Sequence, residues 1–248
     1  MPSSYAVWYA NDGTFVLAWK LEYGYYFSDD GGHVVPGGQL LNGAWNFALP
    51  GGRREGGESW AQTAYREFFE ETGYYPVYVD WYEQAFTVGG YTFGAGYFQT
   101  DAATIGGYLP WINGYTLPIG LQIGQAIING TITTYPQIAP WVAAPARGWT
   151  DWPRSNELYE VYPYNIRDPA TWAVVQGWQT SPTLSWYYYI LAYLRTTILG
   201  VPAPEISETA PRLPIQGGVA RAAPSPVAPA SVPDTARIPR PPPASPAG

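Results

Sequence analysis

One short segment, residues 66–74, constrains this chain more than any other, because its acidic residues need a partner. It reads Arg-Glu-Phe-Phe-Glu-Glu-Thr-Gly-Tyr and overlaps the best predicted helix of the chain, residues 59–72. On a helix, Glu67, Glu70 and Glu71 are three and four positions apart and therefore share one face. Like charges on adjacent turns repel one another, and a bound divalent cation would convert that repulsion into binding.

A glycine-rich segment in front of the helix adds a second constraint. Leu49-Pro50-Gly51-Gly52 predicts a tight turn whose backbone can approach whatever the helix binds. A helix N-terminus favours anionic oxygens, and carboxylates that hold Mg²⁺ beside glycine backbone suit phosphate groups. The alternative interpretation is an exposed amphipathic helix with a solvated acidic face, which is the usual meaning of paired glutamates.

Composition limits the chemistry that such a site can use. The 248 residues include no cysteine and one histidine, His33, which follows Gly31 and Gly32 and is predicted to be a loop residue. Disulfides, zinc–thiolate sites and cysteine nucleophiles are therefore excluded, and a metal would need oxygen ligands, as Mg²⁺ or Mn²⁺ does. The net charge of -7 argues against general binding of nucleic-acid backbone.

The spacing of the acidic residues extends over a longer motif. Gly52 is followed after five residues by Glu58, and after seven more by Arg66-Glu67-Phe68-Phe69-Glu70-Glu71-Thr72-Gly73-Tyr74. This pattern resembles the Nudix box of the Nudix hydrolases, and every defined position is filled. The preceding segment, residues 45–52, is similar to the usual lead-in to that box. The resemblance implies an α/β fold, a Nudix-type α/β/α sandwich with a mixed sheet.

The resemblance also implies a set of metal ligands. Glu70 and Glu71 would be the central ligands of Mg²⁺ or Mn²⁺, with Glu67 a ligand or an adjacent orienting carboxylate. The backbone carbonyl of Gly51 would be a further ligand. Gly52 would support the turn.

Other residues take supporting or catalytic roles by the same resemblance. Arg66 would pair with the carboxylates and hold their geometry, and Glu58 would act near the start of the helix, through water or as a support. Glu157, in a late acidic segment, would be a distal ligand or the general base, with Glu160 the competing choice; a solvated loop acid is the further alternative.

The implied activity is metal-dependent hydrolysis of a pyrophosphate bond in a nucleoside diphosphate linked to another moiety, by attack of water at phosphorus. ADP-ribose, nucleotide sugars, dinucleoside polyphosphates and nucleoside triphosphates are the candidate substrates, and the partner would be a small-molecule nucleotide. The alternative is a nucleotide-sensing module of the same fold without turnover.

Local patterns predict the remaining secondary structure. An Asn-Asp-Gly turn at 11–13 predicts a hairpin between the first two strands, and residues 24–44 are glycine-rich and predicted to be loop. Predicted strands cover 5–10, 14–19, 47–49, 75–87, 91–100 and 158–162, and further helices cover 170–178 and 185–199.

These patterns predict a Nudix hydrolase domain over residues 1–200 and a disordered Pro/Ala-rich tail over 201–248, where 13 of the 26 prolines lie. Residues 102–150 are predicted to be an inserted loop region that serves as a lid or as a contact in a homodimer. The chain shows no apolar run typical of a membrane span and no secretory signal, so a cytoplasmic protein is predicted. The alternative is a secreted or delivered hydrolase.

Overall fold

A mixed sheet of seven strands forms the centre of the fold in the computed structural model, which describes residues 2–202. The strands along the chain are β1 (Ser3–Ala10), β2 (Thr14–Lys20), β3 (Tyr23–Phe27), β4 (His33–Leu40), β5 (Phe47–Ala48), β6 (Gly51–Arg53), β7 (Asp80–Val88), β8 (Tyr91–Thr100) and β9 (Leu158–Asn165). The order in the sheet is β5-β2-β1-β8-β7, with β6 paired to β1 and β9 paired to β2. The β1–β8 pair is parallel and the others are antiparallel.

Six α-helices and several short helical turns accompany the strands within residues 2–202. The helices are α1 (Trp60–Thr72), α2 (Ala102–Trp111), α3 (Leu117–Ile128), α4 (Ile138–Ala143), α5 (Pro169–Gly177) and α6 (Ser185–Tyr193). A π-helical turn, Ile112–Thr116, joins α2 to α3, and a second one, Leu194–Ile198, follows α6.

The alternation of side chains along β1 shows how the layers form. Val7 and Tyr9 pack into one buried cluster together with residues of α5 and α6, whereas Ala6 and Trp8 pack into another with residues of α1 and α2. Successive strand residues point to opposite faces, so both faces of the sheet are covered by helices. The predicted α/β/α sandwich with a mixed sheet is confirmed.

Helix α1 begins and ends where its sequence predicts. The Ser59 hydroxyl accepts a hydrogen bond from the Gln62 backbone, and the Gln62 side chain accepts one from the Ser59 backbone, which together form a capping box. Gly73 ends the helix at a φ of 73°, a left-handed conformation that glycine adopts without strain. Because these signals are local, the position of the carboxylates along the helix is fixed by the sequence.

The prediction that residues 24–44 form a loop is wrong. β3 and β4 pair as a separate antiparallel hairpin, and Tyr26 of β3 is fully buried against residues of α3 and α4. Gly31 and Gly32 lie in the turn of the hairpin, where both have positive φ angles. Gly37 and Gly38 lie in the largely exposed strand β4. The aromatic run at 25–27 was the signal for a strand, and the glycines obscured it.

The inserted region, residues 102–150, is largely helical rather than a loop. Apolar residues recur at helical spacing along its buried side, at Ile105, Leu109 and Ile112. Gly106, Gly107 and Pro110 lie on the exposed side of α2.

Smaller differences concern strand ends, since β7 begins at Asp80 and β9 continues to Asn165. The predicted tail lies outside the described residues, apart from its first two positions. The division into a domain and a tail stays a prediction. No helix within residues 2–202 has the length and hydrophobicity needed to cross a bilayer.

Candidate active site

The two glycines before α1 make room for two of its glutamates. A Cβ on Gly52 would lie 2.6 Å from both carboxylate oxygens of Glu67, so this carboxylate sits directly on the Gly52 backbone. The Gly51 backbone N–H donates to Glu71 Oε1 at 3.2 Å, and a Cβ on Gly51 would lie 2.5 Å from the Ser4 carbonyl oxygen. Glycine at both positions therefore lets β6 pass between β1 and the acidic face of the helix.

Arg66 connects three of the glutamates. Its guanidinium donates to both Glu58 oxygens, at 2.9 and 3.0 Å, to Glu67 Oε1 at 2.9 Å and to Glu70 Oε2 at 3.0 Å. Glu58 also accepts from the Thr63 hydroxyl at 2.9 Å. Burial raises the pKa of Glu58, but the hydrogen bonds that Glu58 accepts, above all those from Arg66, lower it by more. The net shift of the pKa is therefore downward. Glu58 is thus placed to hold Arg66, which in turn orients Glu67 and Glu70.

A third acid, Asp29, comes from the turn of the β3–β4 hairpin. Asp29, Glu67 and Glu70 each offer a carboxylate oxygen, and these three oxygens lie within 4.8 Å of one another. The neighbouring Ser28 hydroxyl donates to Glu70 Oε2 at 2.7 Å, which ties the turn to the helix. The sequence reasoning missed Asp29; its signal was the Asp-Asp-Gly-Gly turn between two strand-forming segments.

Burial shifts the pKa values of these acids upward. It raises the pKa of Glu67 to about 8, because desolvation outweighs the attraction of Arg66, and the charges of Glu70 and Asp29 add to the rise. Burial also raises the pKa of Glu70, where hydrogen bonds from Ser28 and Arg66 oppose the shift. The pKa of Asp29, which is only partly desolvated, is raised by that desolvation and by the charge of Glu157. The cluster thus carries more negative charge than its one arginine stabilises.

Glu71 lies on the inner side of the site, near a half-buried ion pair. The Lys20 ammonium lies 2.7 Å from Glu157 Oε2. Burial lowers the pKa of Lys20, but the charges of Glu157 and Glu71 raise it by more. Burial and the charge of Glu157 raise the pKa of Glu71 well above its ordinary value. Lys20 is the single lysine of the chain, and the fold places it between two carboxylates.

The residues present fit a divalent metal ion. Asp29, Glu67 and Glu70 supply only oxygen ligands, as Mg²⁺ and Mn²⁺ require. Glu71 Oε2 is buried and accepts no hydrogen bond from the described residues, although a buried carboxylate oxygen costs free energy unless it is paired. A cation beside it would supply the missing partner.

The other predicted site residues lie at different distances from this cluster. Glu157 is near it, since its charge acts on both Asp29 and Glu71. Glu160 instead accepts a hydrogen bond from the Tyr162 hydroxyl at 2.6 Å and belongs to β9. His33 stacks on Phe27, with ring centroids 5.2 Å apart, at the start of β4 and not in a loop.

The inserted region reaches the same edge of the molecule. Tyr135 packs on the turn that carries Asp29, because a Cβ on Gly32 would overlap its ring. The Tyr135 hydroxyl donates to the Arg154 carbonyl at 2.9 Å. Helix α3 packs against β3 and β4. The insertion therefore supports the hairpin that supplies the third acid.

Comparison with known protein families agrees with this geometry. Residues 16–101 match the family model described as the NUDIX domain, and this range contains Asp29 and the whole acidic face of α1. No curated protein matches the chain. Enzymes with this domain act, as a class, on nucleoside diphosphate derivatives and use divalent metal ions. Residues 16–101 therefore match a NUDIX domain, and this match supports a relationship of that part of the chain to the Nudix hydrolases.

Proposed function

We propose that this protein is a metal-dependent pyrophosphohydrolase that cleaves a nucleoside diphosphate linked to another moiety, with water attacking at phosphorus. The observation that carries the proposal is the cluster of Asp29, Glu67 and Glu70, whose carboxylate oxygens lie within 4.8 Å of one another beside Arg66. Oxygen ligands gathered next to a glycine backbone suit a cation that bridges to phosphate.

Asp29, Glu67 and Glu70 would hold Mg²⁺ or Mn²⁺, with Glu71 and the Gly51 carbonyl as the further ligands expected from the motif. A bound divalent cation supplies positive charge for the pyrophosphate oxygens and lowers the pKa of water. Asp29 would be an additional ligand that comes from the β3–β4 turn and not from the motif on α1.

Arg66 and its partners keep the ligands in place. Its fork of N–H groups engages Glu67 and Glu70 at the same time, and its contacts with Glu58 fix the fork from the other side. Ser28 donates to the same Glu70 oxygen that Arg66 contacts. These contacts limit the rotamers of the two glutamates before any substrate binds.

Glu157 is the proposed general base for the attacking water. The Lys20 ammonium holds its carboxylate at 2.7 Å, and its charge acts on Asp29, so the group lies beside the cluster without being part of it. A general base must lie within hydrogen-bonding distance of the attacking water, and its carboxylate must not be occupied as a metal ligand. A box glutamate is the alternative base.

The test is turnover of a nucleotide panel with Mg²⁺ or Mn²⁺ by the wild type, Glu70→Gln and Glu160→Gln. The panel contains ADP-ribose, a nucleotide sugar, a dinucleoside polyphosphate and a nucleoside triphosphate. We expect the wild type to hydrolyse one class of substrate and Glu70→Gln to lose most of that turnover. Glu160→Gln should keep the turnover of the wild type, because Glu160 contacts Tyr162 instead of the cluster. Nucleotide binding without turnover in the wild type would overturn the proposal and favour a sensing module.

A further inference from the structure

The inserted region supplies one aromatic ring to the turn that carries Asp29, and we propose that this ring, Tyr135, is a positioning residue for the metal ligand Asp29. Tyr135 begins a short helical turn, Tyr135–Gln137, between α3 and α4. It is not itself a ligand and acts by holding the backbone around Asp29. The inference rests on the proposed function, since that function makes Asp29 a ligand of Mg²⁺ or Mn²⁺.

The Asp29 turn contains little that could hold it in place by itself. Asp29, Asp30 and Gly31 are all exposed, and together they form a turn of only three residues. Asp30 has a φ of 53°, and Gly31 and Gly32 have φ angles of 89° and 87°, which are uncommon for residues with ordinary side chains. A backbone of this kind persists when the surrounding structure determines it. The position of Asp29 therefore depends on contacts that other segments make with this turn.

Tyr135 makes one of these contacts, at the residue where the turn ends. A Cβ on Gly32 would overlap the Tyr135 ring, so the ring lies directly on the Gly32 backbone. The backbone N–H of Gly32 in turn donates to the Asp29 carbonyl at 3.0 Å. A single hydrogen-bonded residue therefore connects the ring to the backbone of Asp29.

The hydroxyl of Tyr135 connects the same ring to helix α1. It donates to the Arg154 carbonyl at 2.9 Å, and the Arg154 backbone N–H donates to the Glu70 carbonyl at 2.6 Å. Burial raises the pKa of Tyr135 to about 12; the charge of Arg154 opposes that rise, and the charges of Glu70 and Asp29 add to it. The phenol thus lies near both acids and links the turn that carries Asp29 to the helix that carries Glu70.

The fold of the insertion holds the ring in this position. Gln137 Oε1 accepts hydrogen bonds from the backbone N–H groups of Thr133, at 2.8 Å, and Thr134, at 3.1 Å. Ile132 and Ile138, on either side of the turn, are buried in one cluster with residues of α3. The backbone below the ring is therefore fixed by contacts within the insertion.

Two attachments, one on each side of Asp29 in the sequence, thus hold the turn. Ser28 comes before Asp29, and its hydroxyl donates to Glu70 Oε2 at 2.7 Å. Gly32 comes after Asp29 and carries the contact with Tyr135. Loss of the ring would leave the turn attached on one side only. The Asp29 carboxylate would then no longer be kept beside the two helix carboxylates of the cluster.

Binding of Mn²⁺ to the full chain, measured by electron paramagnetic resonance titration without nucleotide, tests the role of the ring apart from turnover. Tyr135→Ala should weaken Mn²⁺ affinity by about 10- to 100-fold, as is typical for residues that orient a metal ligand. Tyr135→Phe keeps the ring on Gly32 and should retain most of the wild-type affinity. Tyr115→Ala is the matched control, because Tyr115 is a half-buried tyrosine of the same insertion that packs on Trp111, with ring centroids 4.2 Å apart. It should bind Mn²⁺ as the wild type does.

A double-mutant cycle separates positioning of Asp29 from a general loss of structure. If Tyr135 acts through Asp29, Tyr135→Ala should cause no further loss of Mn²⁺ affinity in Asp29→Asn, which already lacks that ligand. An equal loss in both backgrounds, or wild-type affinity in Tyr135→Ala, would overturn the inference alone. If circular dichroism shows that Tyr135→Ala is unfolded, Tyr135→Leu, which keeps an apolar side chain but removes the ring, replaces it in the cycle.

Turnover provides the second readout and distinguishes the two proposals. In an active hydrolase, the Mn²⁺ concentration that gives half of the maximal rate should rise in Tyr135→Ala by the same factor as the Kd for Mn²⁺. The expected pattern of Mn²⁺ affinities in a protein that hydrolyses no nucleotide would support the role of Tyr135 and contradict the proposed hydrolase.

Discussion

Adding one methyl group to Gly52 should disable the site without unfolding the protein. The Cβ of Gly52→Ala would lie 2.6 Å from both Glu67 carboxylate oxygens, whereas ordinary contact begins at 3.4 Å. The carboxylate must therefore move by about 0.8 Å, and its hydrogen bond from Arg66, at 2.9 Å, must move with it. Misplacing a reacting group by about 1 Å can lower a rate by roughly 10²-fold.

The fold should tolerate the change, because the clash involves the end of a flexible side chain. Gly52 is also absent from the glycines with positive φ angles, so alanine introduces no backbone strain there. We expect kcat to fall by about 10²-fold and Mn²⁺ affinity to weaken, with a melting temperature within a few degrees of the wild type. Steady-state kinetics, Mn²⁺ titration and thermal unfolding measure the three quantities.

Gly56→Ala is the matched control for this experiment. Gly56 lies in the loop between β6 and α1, has no positive φ angle, and a Cβ there would meet no atom within 4 Å. Wild-type turnover and Mn²⁺ affinity in Gly52→Ala would refute the reasoning, because they would show that the position of Glu67 over the backbone is irrelevant to the chemistry. Loss of activity in both variants would point to the loop as a whole.

Three further predictions follow from the surrounding contacts. Arg66→Lys keeps the charge but cannot bridge Glu58 to both cluster glutamates, so kcat should fall by about 10- to 100-fold, and wild-type kinetics would contradict the positioning role. Glu157→Gln should lower kcat by about 10²-fold or more at unchanged Mn²⁺ affinity, whereas a selective loss of Mn²⁺ affinity would make Glu157 a ligand instead. The metal-free protein should lose stability as pH rises from 4.5 to about 8, because folded Glu67 keeps its proton over that range and the unfolded chain does not. The slope contributed by Glu67 is at most about 1.4 kcal/mol per pH unit in urea unfolding, and Glu67→Gln should reduce the slope.

The acidic helix was predictable because everything that defines it is local. The Ser59 cap, the Gly73 stop and the spacing of the glutamates all lie within the same short segment. The layered fold could also be predicted, because most of its strands and helices have clear apolar patterns in the sequence. Local signals were sufficient wherever a single segment determines its own structure.

Asp29 and the inserted helices were missed for a different reason. Asp29 reaches the cluster only because the β3–β4 hairpin packs against a segment far along the chain, through Ser28 and Ser155. The inserted region was predicted to be a loop, but α2 and α3 bury apolar residues at helical spacing, and Gly120 and Gly124 lie on the buried side of α3. Tertiary contacts decide both cases, and local propensity contains no information about them.

The hydrogen bond between Ser28 and Ser155 joins residues that are 127 positions apart. It connects the turn that carries Asp29 to the segment that carries Glu157. During synthesis, the sequence that specifies α1 and its caps leaves the ribosome long before residues 155–157 do. The turn can contact Glu70 through Ser28 before then, but its contact with Ser155 forms only when residues 155–157 have also emerged, because that contact closes a long loop. A chain that stops within the insertion therefore carries the complete motif and still lacks an assembled site.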